Sequence, residues 1–394
     1  MTVTVVHPQV QHSHQVARAL AEAGLLEQYV TSCCFTPQQI ALLSASLRTE
    51  FSKRYHPHIP YDRVATFPYA ELAWKLAGMI VSPALHERLF YHNVWLFDRM
   101  VSRRVARSQA RIVVGYENSS RATFRAAKRQ GKFCVLDAAS VHYQAQQEVY
   151  TPPYSAAFLK RINAGKAEEI RLADHILTLS GYARETYIRA GVPAGKISVI
   201  PLGVDCSRFH GSSRNPAPEG FRFLFVGNIK YSKGTDLLLK SFERLDIPGK
   251  QLVIIGASGD ASHLLSPLPE GVTVKGHMPH DQLCGEYDRA DVFVLPSRLD
   301  GFGLVVTEAM ATGTPVIVSS HVGAKDLVQN GVTGWIFESG DLDSLAACML
   351  QAYEQKRDLP TMGARALETV SACTWEQYRA TVGRFYAELS EKLP

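Results

Sequence analysis

No CxxC pair occurs among the seven cysteines of this 394-residue chain, and their number is odd. That favours free thiols in a reducing compartment over a disulfide frame or a zinc site. No stretch reaches 18 uninterrupted apolar residues, which excludes a membrane-spanning helix. The opening segment MTVTVVHPQV has neither the basic nor the apolar region of a secretory signal. A cytoplasmic chain is therefore expected, either free or peripheral on the inner face of the plasma membrane. Glycine first occurs at residue 24, so the loop after the first apolar run, HPQVQHSH, lacks the usual means of close backbone approach to a ligand. Acids are scarce in the front half: residues 1–210 hold 25 Lys and Arg against 15 Asp and Glu (25 − 15 = +10), whereas residues 211–394 hold 17 against 22 (17 − 22 = −5). A basic front half suits an anionic surface or an acidic substrate, and equally an ordinary solvated face.

What is present is a repeated grammar. The runs 2–6, 112–115, 133–137, 175–180 and 196–201 in the first half read as buried strands. So do 221–227, 251–256, 272–276, 291–297 and 315–320 in the second half. Stretches of helical spacing alternate with them, as in HQVARALAEAG and RATFRAAKRQG, each ending on glycine. The fold class is α/β, with parallel sheets covered by helices on both faces and two doubly wound, Rossmann-like domains facing across a cleft. The break falls in GVDCSRFHGSSRNPAPEG, residues 203–220, rich in Gly, Ser and Pro. The expected parts are a first domain over 1–205, a second over 206–373, and a terminal helix over 374–394 that crosses back to the first.

The segment LPSRLDGFGLVVTEAMATGTPVIVSS, residues 295–320, sets an acid on each side of a small-residue turn. Amides at the start of the helix LVVTEAMA suit a phosphate, and Gly301 and Gly303 let a ligand approach the main chain. Asp300 and Glu308 would repel that phosphate yet accept hydrogen bonds from sugar hydroxyls. A nucleoside-diphosphate sugar satisfies both demands at once.

DGFGLVVTEAMATGTPVI also resembles the E-x7-E segment of glycosyltransferase family 4, retaining enzymes of the GT-B architecture, with Asp300 in place of the first glutamate. The likeness extends through FVGNIKYSKGTDLLLKSF, GHMPHDQLCGEYDRADVFVLPS, GVTGWIFESGDLDSLA and ADHILTLSGYARETYIRAGVPAGKISVIPLGVDCSRF, and so covers residues 173–394. It implies that Asp300 holds donor-sugar hydroxyls and Glu308 ribose hydroxyls. The amides of Gly301, Phe302, Gly303 and Leu304 would line the sugar and diphosphate. Lys233 would fill the family's diphosphate lysine. The family's arginine five residues earlier is Asn228 here, which passes part of the leaving-group work to Lys230 or to an arginine elsewhere. His142, after the strand FCVLD, would fill the place of the family's cleft histidine, with Asp137 and Glu148 nearby.

The family's opening Gly-Gly loop has no counterpart. His7, His12 and His14 stand there without a carboxylate or cysteine beside them in sequence, so polar or acceptor contacts are expected of them rather than a metal. Asp341-Leu342-Asp343 reads as a helix start and not as a metal-binding DxD. No metal site and no cofactor are expected. The implied reaction is transfer of a hexose-type sugar to a hydroxyl of a glycan or lipid-linked acceptor, in bacterial exopolysaccharide or envelope glycan synthesis. The stretch 75–112 reads as a basic amphipathic helix, suited either to anionic lipid or to ordinary packing. Three rivals are a GT-B epimerase, an inverting transferase and a non-catalytic nucleotide-sugar binder. A nucleic-acid partner is not expected, because acids flanking residues 300–308 have no use there.

Overall fold

The computed structural model describes residues 1–9, 11–42, 48, 54–78, 80–150, 154–209 and 220–393. The first sheet comprises β1 (Val3–Val6), β2 (Leu26–Thr31), β3 (Val64–Thr66), β4 (Ile112–Tyr116), β5 (Phe133–Ala138), β6 (His175–Thr178) and β7 (Ile197–Val199), in the order β3-β2-β1-β4-β5-β6-β7. The second comprises β8 (Phe221–Val226), β9 (Lys250–Ile255), β10 (Val272–Val274), β11 (Val292–Leu295), β12 (Val316–Ser319) and β13 (Gly334–Phe337), in the order β10-β9-β8-β11-β12-β13. Every pairing in both sheets is parallel. Parallel neighbours require crossovers, and the crossover helices cover both faces. The strands are accordingly apolar on both sides: all residues of β1, β11 and β12 are buried. Along β4, Ile112 and Val114 enter the core on one face while Val113 enters the core on the other.

These are the two doubly wound α/β domains that the alternation of strands and helices predicts. Strand order reverses between β1 and β4 in the first domain and between β8 and β11 in the second. Crevices for ligands open at the carboxyl ends of strands at such reversals. Of the polar segment 203–220, where the sequence places the break, residues 210–219 lie outside the described residues.

The terminal helix, Trp375–Lys392, lies on the first domain. Its Tyr378, Val382 and Tyr386 are buried with Val16 and Leu20 of the helix Ser13–Glu22. Gly383 faces the first helix at ordinary contact distance, where a Cβ would stand 3.6 Å from the Ala23 Cβ. Arg379 fastens the pair, donating to Gln15 Oε1 at 3.1 Å and meeting Glu22 at 3.3 Å.

Two local readings change. The stretch 75–112 is not one helix but the end of Tyr69–Gly78, the whole of Pro83–Arg107 and the start of β4. Pro83 opens the longer helix at its first position, where its missing N–H costs nothing and its fixed φ fits the helix. Strands β2, β3 and β13 are additions to those expected. Strand β3 has only three residues, and β2 carries Glu27 and Gln28, which dilute its apolar signal.

Candidate active site

The second domain brings two loops together at its strand reversal. After β8 the chain passes Asn228 and makes a single turn, Tyr231–Lys233. After β11 it runs through residues 298–303 into the helix Leu304–Ala311. Gly234, with φ 73°, lets the first loop lie against the second, since a Cβ there would collide with the Pro296 carbonyl. Gly303, with φ 90°, makes the sharp entry to the helix, a conformation that L side chains rarely adopt. Lys233 Nζ consequently donates to Asp300 Oδ2 at 2.5 Å. The two residues are 67 positions apart and both partly buried, and Asp300 lies in the loop that leads into that helix.

Arg298, the arginine nearest this pair in sequence, is already committed. It donates to both Asp236 oxygens, at 2.6 and 2.8 Å, and to the Tyr231 carbonyl at 2.7 Å. It therefore braces the turn that carries Lys233. Asn228 is exposed at the exit of β8, and Lys230 is half-buried.

The loop 298–303 also meets the first domain. Ser180 Oγ donates to the Gly301 carbonyl at 2.7 Å, and Gly181 N–H donates to Asp326 Oδ2 at 2.7 Å. A Cβ on Gly301 would stand 2.8 Å from the Ala139 carbonyl oxygen, so the loop after β5 lies directly on it. Phe302 contributes only its backbone to the crevice. Its N–H turns toward Asp300 Oδ1 at 3.4 Å, while its ring is buried in the core of the first domain. Leu304 is exposed at the start of its helix.

Glu308 is buried one helical turn further on. Its Oε1 accepts from His280 at 2.8 Å and its Oε2 from the Tyr287 hydroxyl at 2.9 Å. The carboxylate holds the His280 pKa above the usual histidine value through that hydrogen bond. Beside Glu308 a cavity of about 360 Å³ opens between the domains, lined among others by His14, Gln15, Arg208, His280 and Leu304.

His142 caps the helix Tyr143–Val149 and is buried. Its Nδ1 accepts from the Gln144 N–H at 3.3 Å, which leaves the ring proton on Nε2. Burial pulls its pKa down to about 4, helped by the charge of Lys166. A ring that is neutral at pH 7 donates a hydrogen bond but does not serve as a cationic acid. Thr186 Oγ1 fixes the backbone at this point by accepting from His142 N–H at 2.9 Å.

Asp137 does not join His142. Both of its oxygens lie 3.0 Å from His12 Nε2, and the pair is buried beneath the crevice. The absence of a carboxylate beside the three early histidines is thus corrected: one arrives from 125 positions away on β5. The histidines themselves diverge. His7 Nδ1 lies 2.6 Å from the Gln9 carbonyl oxygen, and burial pulls its pKa down to about 3. His14 instead stacks on His56, with ring centroids 4.7 Å apart. No cluster of three metal-ligating residues forms among the described residues. Asp341 accepts from the N–H groups of Asp343 and Ser344, at 2.9 and 3.0 Å, and caps the helix Leu342–Glu354. Asp343 turns outward to Arg244.

Sequence reasoning missed His280 and Tyr287 as partners of Glu308, and His12 as partner of Asp137. One signal was available. His280 and Tyr287 are seven residues apart and so share a face of the helix His280–Arg289.

Residues 9–208 match the family model described as Glycosyltransferase Family 4, and residues 211–368 match that described as Glycosyl transferases group 1. Among characterised sequences, the chain is 31% identical over 253 residues to a D-inositol 3-phosphate glycosyltransferase of Geodermatophilus obscurus, covering 58% of this chain and 56% of that protein. It is 28% identical over 197 residues to the amylovoran biosynthesis glycosyltransferase AmsK of Erwinia amylovora, covering 47% and 48%. The chain spans about half the length of these relatives. Among solved structures, sucrose-phosphate synthase of Thermosynechococcus elongatus superposes with a TM-score of 0.73 at 20% identity, over 100% of both chains. HepE of Anabaena, solved with UDP and glucose, gives 0.65 at 17% identity, again over 100% of both. At such identities these likenesses speak for the fold, which is the GT-B arrangement of two facing parallel-sheet domains. Since one family model alone accounts for residues 9–208, just over half of the sequence, the chain belongs to Glycosyltransferase Family 4.

Proposed function

We propose that this protein is a retaining, metal-independent glycosyltransferase that moves a hexose-type sugar from a nucleoside diphosphate to a hydroxyl of a glycan or lipid-linked acceptor, in bacterial exopolysaccharide or envelope glycan synthesis. The observation that most supports this is the meeting of Lys233 with Asp300, in the loop that leads into the helix Leu304–Ala311, at the β8/β11 reversal. A cation and free amides suit a diphosphate, and a carboxylate beside them suits a sugar hydroxyl. HepE, solved with UDP and glucose, and AmsK, named for amylovoran biosynthesis, support the donor class and the biosynthetic setting.

In this reading the diphosphate takes Lys233 and the amides of Gly301 to Leu304. Asp300 is released from the ion pair to accept hydroxyls of the sugar, and Glu308 exchanges His280 or Tyr287 for the ribose. The bond from the anomeric carbon to the diphosphate oxygen breaks as the acceptor oxygen attacks from the same face. The acceptor proton passes to a diphosphate oxygen. Lys233 and the helix amides stabilise the charge that develops on the leaving group, which is preorganised electrostatic catalysis. His142 donates from Nε2 and positions the sugar or the acceptor. The first domain holds the acceptor, and the protein works in the cytoplasm or against the inner membrane face.

The test is turnover of UDP-, GDP- and dTDP-sugars with product configuration read by anomeric NMR. Retention with one donor class is the expected result. Inversion would overturn the retaining assignment, and a protein that neither turns over nor is thermally stabilised by any of the three would overturn the donor class.

A further inference from the structure

A second pocket lies in the first domain, away from the donor crevice. It is a cavity of about 160 Å³ between the helices Pro83–Arg107, Tyr143–Val149 and Ala156–Leu172. Three tyrosines line it, Tyr91, Tyr143 and Tyr150, together with the amides of Gln147 and Asn163 and the ammonium of Lys166.

Lys166 is the unusual member. It is only 8% exposed, yet its one hydrogen-bond partner among the described residues is Gln146 Oε1 at 2.9 Å, and no carboxylate there lies within ion-pair distance. An ammonium carries three donors, and burying one that lacks a counter-charge is costly. The same domain shows how a structural lysine is handled. Lys132, 7% exposed, donates to the Val105 carbonyl, the Ser108 carbonyl and the Ser108 hydroxyl, at 3.0, 2.6 and 2.8 Å. Lys132 is satisfied three times over. Lys166 faces a cavity with donors to spare.

The pocket is tied to the donor loop by a short chain of contacts. Gln146, which holds Lys166, also donates to the Val141 carbonyl at 2.7 Å and to Ser140 Oγ at 3.2 Å. The Ser140 Cα stands 2.9 Å from where a Cβ of Gly301 would be. His142 caps the helix that carries Tyr143, Gln146 and Gln147.

From these contacts we infer that the pocket is an acceptor subsite for a saccharide unit bearing an anionic group, either a ring carboxylate or a phosphate ester. Tyrosine rings offer flat apolar faces to the C–H side of a pyranose, and the two amides serve its hydroxyls. Lys166 supplies the charge-assisted bonds that select the anion. The inference rests on the glycosyltransferase reading, because it makes this unit part of the acceptor.

Saturation-transfer NMR at constant ionic strength tests it with methyl glucuronide, glucose 6-phosphate and methyl glucoside as probes. At least one anionic probe is expected to bind ten or more times tighter than methyl glucoside. Preference for the carboxylate or the phosphate identifies which acceptor chemistry applies. Lys166→Gln should abolish the preference. Asn163→Asp, which sets an acid one turn from Lys166 at the half-buried rim, should abolish it too without emptying the pocket. Equal binding of all three probes, no binding of any, or a preference that survives both substitutions would overturn the inference. If donor hydrolysis is absent while the Lys166-dependent preference holds, the transferase reading fails and the anionic-saccharide pocket stands. If donor hydrolysis is present without anionic preference, the transferase reading stands and the pocket assignment fails.

Discussion

Lys233 Nζ donates to Asp300 Oδ2 at 2.5 Å, joining the turn after β8 to the loop after β11. The two groups are proposed to serve different parts of one donor, so the ion pair marks where that donor must enter and what it must displace. Both side chains keep some access to solvent, which allows the exchange.

Removing the cation should therefore act on chemistry more than on affinity. A charge-assisted bond is worth about 1.5–3 kcal/mol, which lowers the kcat of Lys233→Met by about 10- to 150-fold at saturating donor. Steady-state kinetics with the preferred donor checks this. Unchanged kcat with a raised KM would reduce Lys233 to uniform binding and remove its role on the leaving group.

How much of this site could be read from the sequence depends on distance along the chain. The helix Leu304–Ala311 has the bounds that its apolar run and flanking glycines predict, because its signals are local. Lys233 against Asp300 follows from no local pattern; only the shared strand reversal of a parallel sheet brings them together. The His12–Asp137 pair is less legible still, since it needs the ends of β1 and β5 in one crevice. Strand β2 is diluted by Glu27 and Gln28, and Pro83 hides a helix break inside one periodic stretch. Phe302 is instructive in another way. Beside two glycines it reads as a ligand-loop residue, yet its ring joins the core of the other domain.

That ring gives a second prediction. Phe302 is 4% exposed, and replacing a buried Phe by Ala costs about 3–5 kcal/mol. Phe302→Ala should lower the urea midpoint of the first domain and weaken donor turnover together, because one side chain fixes the donor loop to that domain. Phe302→Leu, which keeps most of the volume, should retain both. A Phe302→Ala protein of unchanged stability would show that the ring does not fasten the loop.

Donor binding should depend on pH through His280. Its pKa is raised by the hydrogen bond to Glu308, so the pair tightens as pH falls through that raised value. Below it, a ribose must compete with a cationic imidazole for Glu308, and donor KM should rise. The stability that this pair contributes runs the same way: it is fully present below the unfolded histidine value of about 6.5 and is lost as pH rises through the raised one. His280→Gln should flatten the KM profile. A wild-type KM that is level between pH 6 and pH 8 would separate Glu308 from the ribose role.

Buried neutral histidines act in the opposite direction. Burial pulls His142 to about 4 and His7 to about 3, so unfolding releases groups that bind protons more readily. Their contribution is complete above about pH 6.5 and is lost as pH falls toward those values, with each adding at most about 1.4 kcal/mol per pH unit. Urea midpoints between pH 7 and pH 4 should fall accordingly. His142→Asn keeps a helix-capping side chain but withdraws the Nε2 donor. Loss of one neutral hydrogen bond should lower kcat by about 2- to 12-fold, with no new break near pH 6.5. A kcat profile that does break there in wild type and not in His142→Asn would make the ring a titrating acid or base instead.

Membrane contact, part of the proposed setting, has a defined surface to test. Along the helix Pro83–Arg107, the exposed positions Leu85, Arg88, His92, Leu96, Arg99, Arg103 and Arg107 recur at spacings of three and four, so they form one stripe without an acid. The preceding helix and its end add exposed Tyr69, Leu72, Leu76 and Ile80. A face that combines outward leucines with arginines suits the boundary of an anionic bilayer, where each cation near the surface contributes about 1 kcal/mol. No helix among the described residues is long and apolar enough to cross a membrane. Flotation with phosphatidylglycerol vesicles at low salt should therefore carry the protein upward, and phosphatidylcholine vesicles should not. Arg99→Glu with Arg103→Glu should lower the bound fraction at least tenfold, and Leu72→Asp with Leu76→Asp should lower it without changing the salt dependence. Equal flotation of wild type and both double variants would assign the stripe to ordinary solvated surface.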